Sequence, residues 1–136
     1  MAYYESGDEH GQALLARAEA LRLAGTYLTQ VRQYDIAYEA LRGAIADAKW
    51  SGDMLAAGSG VGSMCWLLIR QGRLDEAERI AAESMDAVEP KITGAEPDQL
   101  AVWGGLAMEA AAAAARNNPV IFFAVLQRGR WPPGPV

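Results

Sequence analysis

Small and apolar residues recur along the chain at helical spacing, interrupted by short polar turns. Leu14, Ala18, Leu21, Gly25 and Leu28 fall on one face of a helix predicted from about Gln12 to Val31. Ala37, Leu41, Ala44 and Ala48 supply the stripe of a second helix, which Asp35 is placed to cap and which stops near Ser51-Gly52. Asp53 restarts the chain. The third helix carries Val61, Met64, Cys65 and Leu68 on one face and ends at Gln71-Gly72, where Gly72 suits a left-handed helix end. Gly58, Gly60 and Gly62 predict weakness in its first half. Asp75, with Glu78 three residues on, reads as a capping-box-like start to a fourth helix with Ala77, Ile80, Ala81, Ser84, Met85 and Val88 on one face. Pro90 ends it. A polar loop from Lys91 to Pro97 leads to a fifth helix, Asp98 to about Asn118, with Trp103 as its largest anchor.

The pattern repeats. Gly25-Thr26-Tyr27-Leu28 followed by Arg32-Gln33-Tyr34-Asp35-Ile36-Ala37 is echoed by Met64-Cys65-Trp66-Leu67-Leu68 followed by Gln71-Gly72-Arg73-Leu74-Asp75-Glu76-Ala77. In each copy an apolar helix runs into a short turn and a second amphipathic helix begins, which makes two antiparallel helical hairpins. The predicted fold class is therefore all-α: hairpins stacked as a short right-handed solenoid, five helices plus an irregular tail. Stacked hairpins bury a continuous core and leave an extended face for binding, so the architecture suits a protein that holds a partner rather than transforms one.

After Pro119 the chain changes character. Val120 to Leu126 is a bulky apolar run, and Arg128 to Val136 holds three prolines and two glycines without helical periodicity. The organisation expected is an acidic leader over 1–11, a helical repeat domain over 12–118 and an irregular tail over 119–136. A sixth helix to cover the fifth is missing from the pattern. An abrupt turn to arginine, glycine, proline and tryptophan is what a shifted reading frame in GC-rich DNA produces, so a truncated, frameshifted end is one expectation. A natural short protein whose apolar tail packs back on helix five is the other.

Composition removes several functions. With 136 residues and 51% apolar content, one domain with a moderate core is expected. A net charge of −5, with Lys and Arg spread singly, argues against a nucleic-acid surface. The weakly polar run from Leu100 to Ala115 is mostly alanine and carries Glu109, too feebly hydrophobic to span a membrane. One cysteine and no basic, apolar leader point to a reducing cytoplasm.

Catalytic constellations do not assemble. The one histidine, His10, lies in the acidic leader, so neither a triad nor a histidine-rich metal site has its parts. Cys65 sits among Met64, Trp66, Leu67 and Leu68, the setting of a buried, inert thiol. Gly58-Ser59-Gly60-Val61-Gly62-Ser63 lacks the lysine and the spacing of a phosphate-binding loop. Asp75 and Glu76 stand at a helix start, where they complement the helix dipole. No enzyme activity, cofactor or metal is expected. The alanine run Ala110 to Ala115 allows close helix packing, and with no sixth helix one of its faces, together with Phe122 and Phe123, is expected to drive homo-oligomerisation.

Leu21, Ala24, Gly25, Leu28, Ala37, Leu41 and Ala44, and again Met64, Cys65, Leu68, Gly72, Ala77 and Ala81, are similar to the tetratricopeptide (TPR) pattern. The interval from Ala37 to Ala77 is 77 − 37 = 40 residues, longer than the roughly 34 of a standard repeat. More specifically, Tyr3-Tyr4-Glu5-Ser6-Gly7-Asp8-Glu9, the stretch Ala13 to Gly25, Arg32-Gln33-Tyr34-Asp35, the run Arg70 to Arg79 and Ala114-Ala115-Arg116-Asn117-Asn118 resemble the C-terminal region of actinobacterial helix-turn-helix transcriptional regulators of the XRE type. In that family a DNA-binding head precedes a TPR-like sensor region. The head has no counterpart in these residues, so direct DNA binding is not carried over.

The resemblance implies a non-enzymatic TPR-like module that binds a protein or peptide, similar to the sensor or dimerisation part of a regulator. The alternative is a truncated remnant of such a regulator with no independent activity. In TPR proteins the first helix of each hairpin lines the concave side. That rule picks Arg22, Thr26, Thr29 and Gln30 from helix one and Ser63, Trp66 and Arg70 from helix three. Arg22 and Arg70 would hold a carboxylate while Trp66 offers a flat apolar wall, so a short peptide or an acidic segment is the ligand expected.

Overall fold

The structure, a computed structural model, describes residues 7–90, 94–118 and 120. The tail from 119 onward, with Phe122 and Phe123, otherwise lies outside the described residues, as do residues 1–6 of the leader and 91–93 of the predicted loop. Five helices follow one another: α1 (Gly7–Gln30), α2 (Tyr34–Ser51), α3 (Met54–Arg70), α4 (Leu74–Val88) and α5 (Pro97–Asn117). Among the described residues there is no strand, and no helix is long and apolar enough to cross a membrane. The predicted boundaries match these within a few residues, except that α1 starts at Gly7 and takes in part of the acidic leader.

Each of the first three turns is closed in the same way. The backbone N–H groups of Gln33, Asp53 and Arg73 donate to the carbonyls of Leu28, Ala48 and Leu68 at 2.9, 3.1 and 2.8 Å. The residue just before each donor is left-handed: Arg32 at φ 63°, Gly52 at 81° and Gly72 at 75°. This six-to-one bond with a left-handed residue satisfies carbonyls that the helix end would otherwise leave orphaned. Four residues past each donor stands a buried alanine, Ala37, Ala57 or Ala77, whose N–H returns to the donor's carbonyl. The 40-residue repeat therefore divides into a 20-residue unit of one helix and one turn.

Two of the predicted caps are corrected. The N-cap residues of α2 and α4 are Gln33 and Arg73, and neither makes a side-chain cap bond. Asp35 and Asp75 sit one residue inside the helix, in the first turn, where a carboxylate favours the positive end of the dipole without accepting the capping bond. Asp53 does cap α3, accepting from the N–H of Ala56 at 2.9 Å. Asp75 instead accepts from the side chain of Asn117, which ties the end of α5 to the start of α4.

Antiparallel pairing of α1 and α2 is fixed by contacts that run in opposite directions along the chain. Arg17 reaches Asp47, Leu21 lies against Gly43, and Gly25 receives Leu41. The α3 helix is central and packs on all four others. Ala37, Leu41, Met64, Leu67, Leu68, Ile69, Ala77 and Ala113 form the main core, so residues from four helices interlock. Leu67 and Ile69 were not in the predicted stripe; a helix covered on several sides buries more than one face. In α5 the buried residues are Leu106 and Ala113, whereas Trp103 is only partly covered. The glycines do not break α3. Gly58 and Gly60 are buried where a Cβ would come within 2.8 Å of Val102 and of Ile45, so their missing side chains admit the neighbouring helices.

Candidate functional site

Along α3, Ser59, Gly62, Ser63 and Trp66 form a ridge that faces α5, which contributes Ala101, Val102, Gly105, Leu106 and Glu109. Between them runs an open groove of about 470 Å³, mostly apolar. It stays open at Gly62 and Gly105, which carry no side chains and where a Cβ would meet nothing within 4 Å. Its wall is Trp66, over whose ring the Arg70 guanidinium sits at 5.3 Å. That distance is within cation–π range, so the exposed Arg70 side chain rests over the indole.

One carboxylate marks the groove. Burial pushes the Glu109 carboxyl above its usual range, and the nearby Arg116 only partly offsets this. The Cys65 thiol, wholly buried behind the groove, is pushed up to about 12, first by burial and then by the Glu109 charge. Its Sγ makes a 3.5 Å contact to the carbonyl of Ala77. A thiol held this far from ionisation is a packing group and a poor nucleophile. Among the described residues no group of three or more His, Cys, Asp and Glu side chains could hold a metal ion.

The sequence-derived site residues divide. Ser63 and Trp66 line the α3–α5 groove, and Arg70 stacks on Trp66. Arg22 lies elsewhere, in a cleft with Leu15, Glu19, Asp53 and Gly60, and is engaged by Glu19 through both Nε and Nη2. Thr26 donates to the carbonyl of Arg22 at 2.9 Å. Gln30 is exposed near the end of α1. Thr29 is a correction: it is fully buried and donates to the carbonyl of Gly25 at 2.8 Å, so it is a core residue and cannot meet a ligand. Gly62, Gly105 and Glu109 were not selected from the sequence, because their contribution depends on how α5 lies across α3. Glu109, the one charged residue between Leu100 and Ala115, was the available signal.

A second groove runs between α2 and α4 over α3, about 330 Å³, with Tyr38, Ile45, Val61 and Ile80 along it and Lys49, Glu76 and Glu83 on its rims. Arg73, at the start of α4, stands 5.6 Å from the Tyr38 ring and bridges one end of this groove. Tyr38, Ile45 and Ile80 of its lining also pack against the main core.

No family model matches the chain, and no curated protein or solved structure is significantly similar to it.

Proposed function

We propose that this chain is a non-enzymatic, TPR-like helical repeat module that binds a protein or peptide segment, akin to the sensor part of a bacterial transcriptional regulator. The observation that carries the reading is the α3–α5 groove: an open, mostly apolar channel on the first-helix side of the hairpins, with an aromatic wall and one carboxylate. Recurrence of the same turn every 20 residues supports a repeat architecture, since each helix–turn unit covers its neighbour and cannot bury its own apolar face alone. The ligand chemistry differs from the acidic segment suggested by Arg22 and Arg70. Both arginines already have partners, and the ionisable side chain lining the groove is Glu109. An apolar side chain laid on Trp66, with N–H groups offered to Glu109 and to the hydroxyls of Ser59 and Ser63, fits that lining.

Gly62→Gln and Gly105→Gln provide the test. Each fills the groove at a position with open space, and glutamine has a higher helix propensity than glycine, so folding should not suffer. Peptides selected from a random display library on the 136-residue chain should lose at least tenfold in affinity for either variant, read by fluorescence anisotropy. Selected peptides that bind both variants as tightly as the wild type would place the site elsewhere.

A further inference from the structure

The α1 helix has two apolar sides. Ala18, Leu21, Gly25, Leu28 and Thr29 face α2 and α3. At 100° per residue the opposite direction belongs to Ala13, Ala16, Ala20, Leu23, Ala24, Tyr27 and Val31, and between residues 13 and 31 no charged residue stands among them. All but Ala13 are exposed, Leu23 at 58% and Tyr27 at 63%. A helix with two apolar sides has two sides that burial would favour covering.

The order of large and small residues along this face says what covers it. Three small residues, Ala13, Ala16 and Ala20, precede the large Leu23, Tyr27 and Val31, with Ala24 between them. Turned end for end about a point between positions 23 and 24, the face fits itself: 27 falls opposite 20, and 31 opposite 16. We propose that α1 pairs antiparallel with α1 of a second copy of this chain, forming a two-fold dimer. Tyr27 then covers the partner's Ala20, Val31 covers the partner's Ala16, and Leu23 meets the partner's Leu23 at the axis. Small residues opposite large ones let the helices approach closely while both copies use the same surface, as a two-fold interface requires. One face of a single helix, seven side chains a copy, makes a small interface, near the lower bound of about 1,000 Å² in total for a specific one. That area fits a dimer that dissociates at micromolar concentration rather than an obligate one.

The test is sedimentation velocity on the full chain across roughly 1–300 µM, a range set by the expected micromolar dissociation, together with two single-cysteine crosslinks. The wild type should pass from monomer to dimer over that range, and Leu23→Arg should raise the dissociation constant at least 100-fold with unchanged helicity and melting temperature, because Leu23 is exposed in the monomer. Under mild oxidation Leu23→Cys should form a disulfide-linked dimer, with native Cys65 buried and silent. Ala16→Cys should not, because antiparallel pairing holds the two copies of residue 16 roughly 20 Å apart at 1.5 Å per residue. A monomer throughout would overturn the proposal. Crosslinking by Ala16→Cys would also do so, since it signals parallel pairing, and so would a ladder of higher oligomers, the signature of head-to-tail contact between α1 and the exposed Leu100 and Met108 of α5.

Discussion

Within the α1–α2 hairpin Gly25 on the first helix receives Leu41 of the second; a Cβ at Gly25 would come within 2.5 Å of the Leu41 side chain. Forty residues on, in the α3–α4 hairpin, the corresponding positions are Cys65 and Ala81, both fully buried. Small and large have exchanged places. Both hairpins place an alanine, Ala37 or Ala77, at the next position of the seam, and Cys65 reaches the Ala77 carbonyl much as a Cβ at Gly25 would approach the Ala37 carbonyl at 3.4 Å. The repeat preserves the shape of the seam, not the residue at each point, because close packing constrains the summed volume of facing side chains.

The largest effect that should break this comparison is Leu41→Ala, which empties the first seam beside a glycine that cannot fill it. We expect a loss of about 3 kcal/mol, read from the denaturation midpoint. The sharper test is Gly25→Cys, which imports the small partner of the second hairpin without its alanine. Overpacking against Leu41 should cost about 2 kcal/mol. The double variant Gly25→Cys/Leu41→Ala, which copies the second hairpin, should be more stable than the sum of the two single losses predicts. Strict additivity would show that the two seams are not equivalent.

A smaller difference lies in the turns. Arg32 and Gly72 hold equivalent left-handed positions, but only glycine takes that conformation without strain from a Cβ. Arg32→Gly should stabilise the chain and Gly72→Arg destabilise it, each by about 1 kcal/mol, measured by thermal or chemical unfolding.

The smallest expected effect concerns the ion pair between Arg17 and Asp47, at 2.6 and 2.8 Å; the corresponding positions of the second hairpin are Ala57 and Ala87. The hydrogen bonds from Arg17 hold the Asp47 carboxyl below its usual range. A depressed folded-state value means the contribution is complete above the ordinary aspartate range and is lost as pH falls through the folded value. Asp47→Asn should therefore flatten the acid limb of the stability profile below about pH 4, set by the reference aspartate value, and change little of its shape near neutrality. An unchanged acid limb would remove Asp47 as its source.

Much of the fold could be read along the chain. All five helices, the small residues of the buried stripes and the left-handed end at Gly72 follow from local periodicity and turn chemistry, which need only neighbours within one or two helical turns. The expected caps Asp35 and Asp75 lie two residues past the observed N-caps, Gln33 and Arg73, and Thr29, expected on a ligand face, lies in the core. Thr29 shows the limit well. Its hydroxyl returns to the carbonyl of Gly25 within its own helix, so a polar residue can be buried without any signal in the hydrophobic pattern.

That helices form, where they turn and which small residues let them approach follow from interactions between residues close in the chain. Only the tertiary structure decided that α3 would be buried on several sides, that Ser63 and Trp66 would face Gly105 and Glu109 across a groove, and that Arg22 would stand apart from them. Those outcomes depend on how one helix crosses another, and crossing is set by the fit of facing ridges and gaps contributed by residues far apart in the chain.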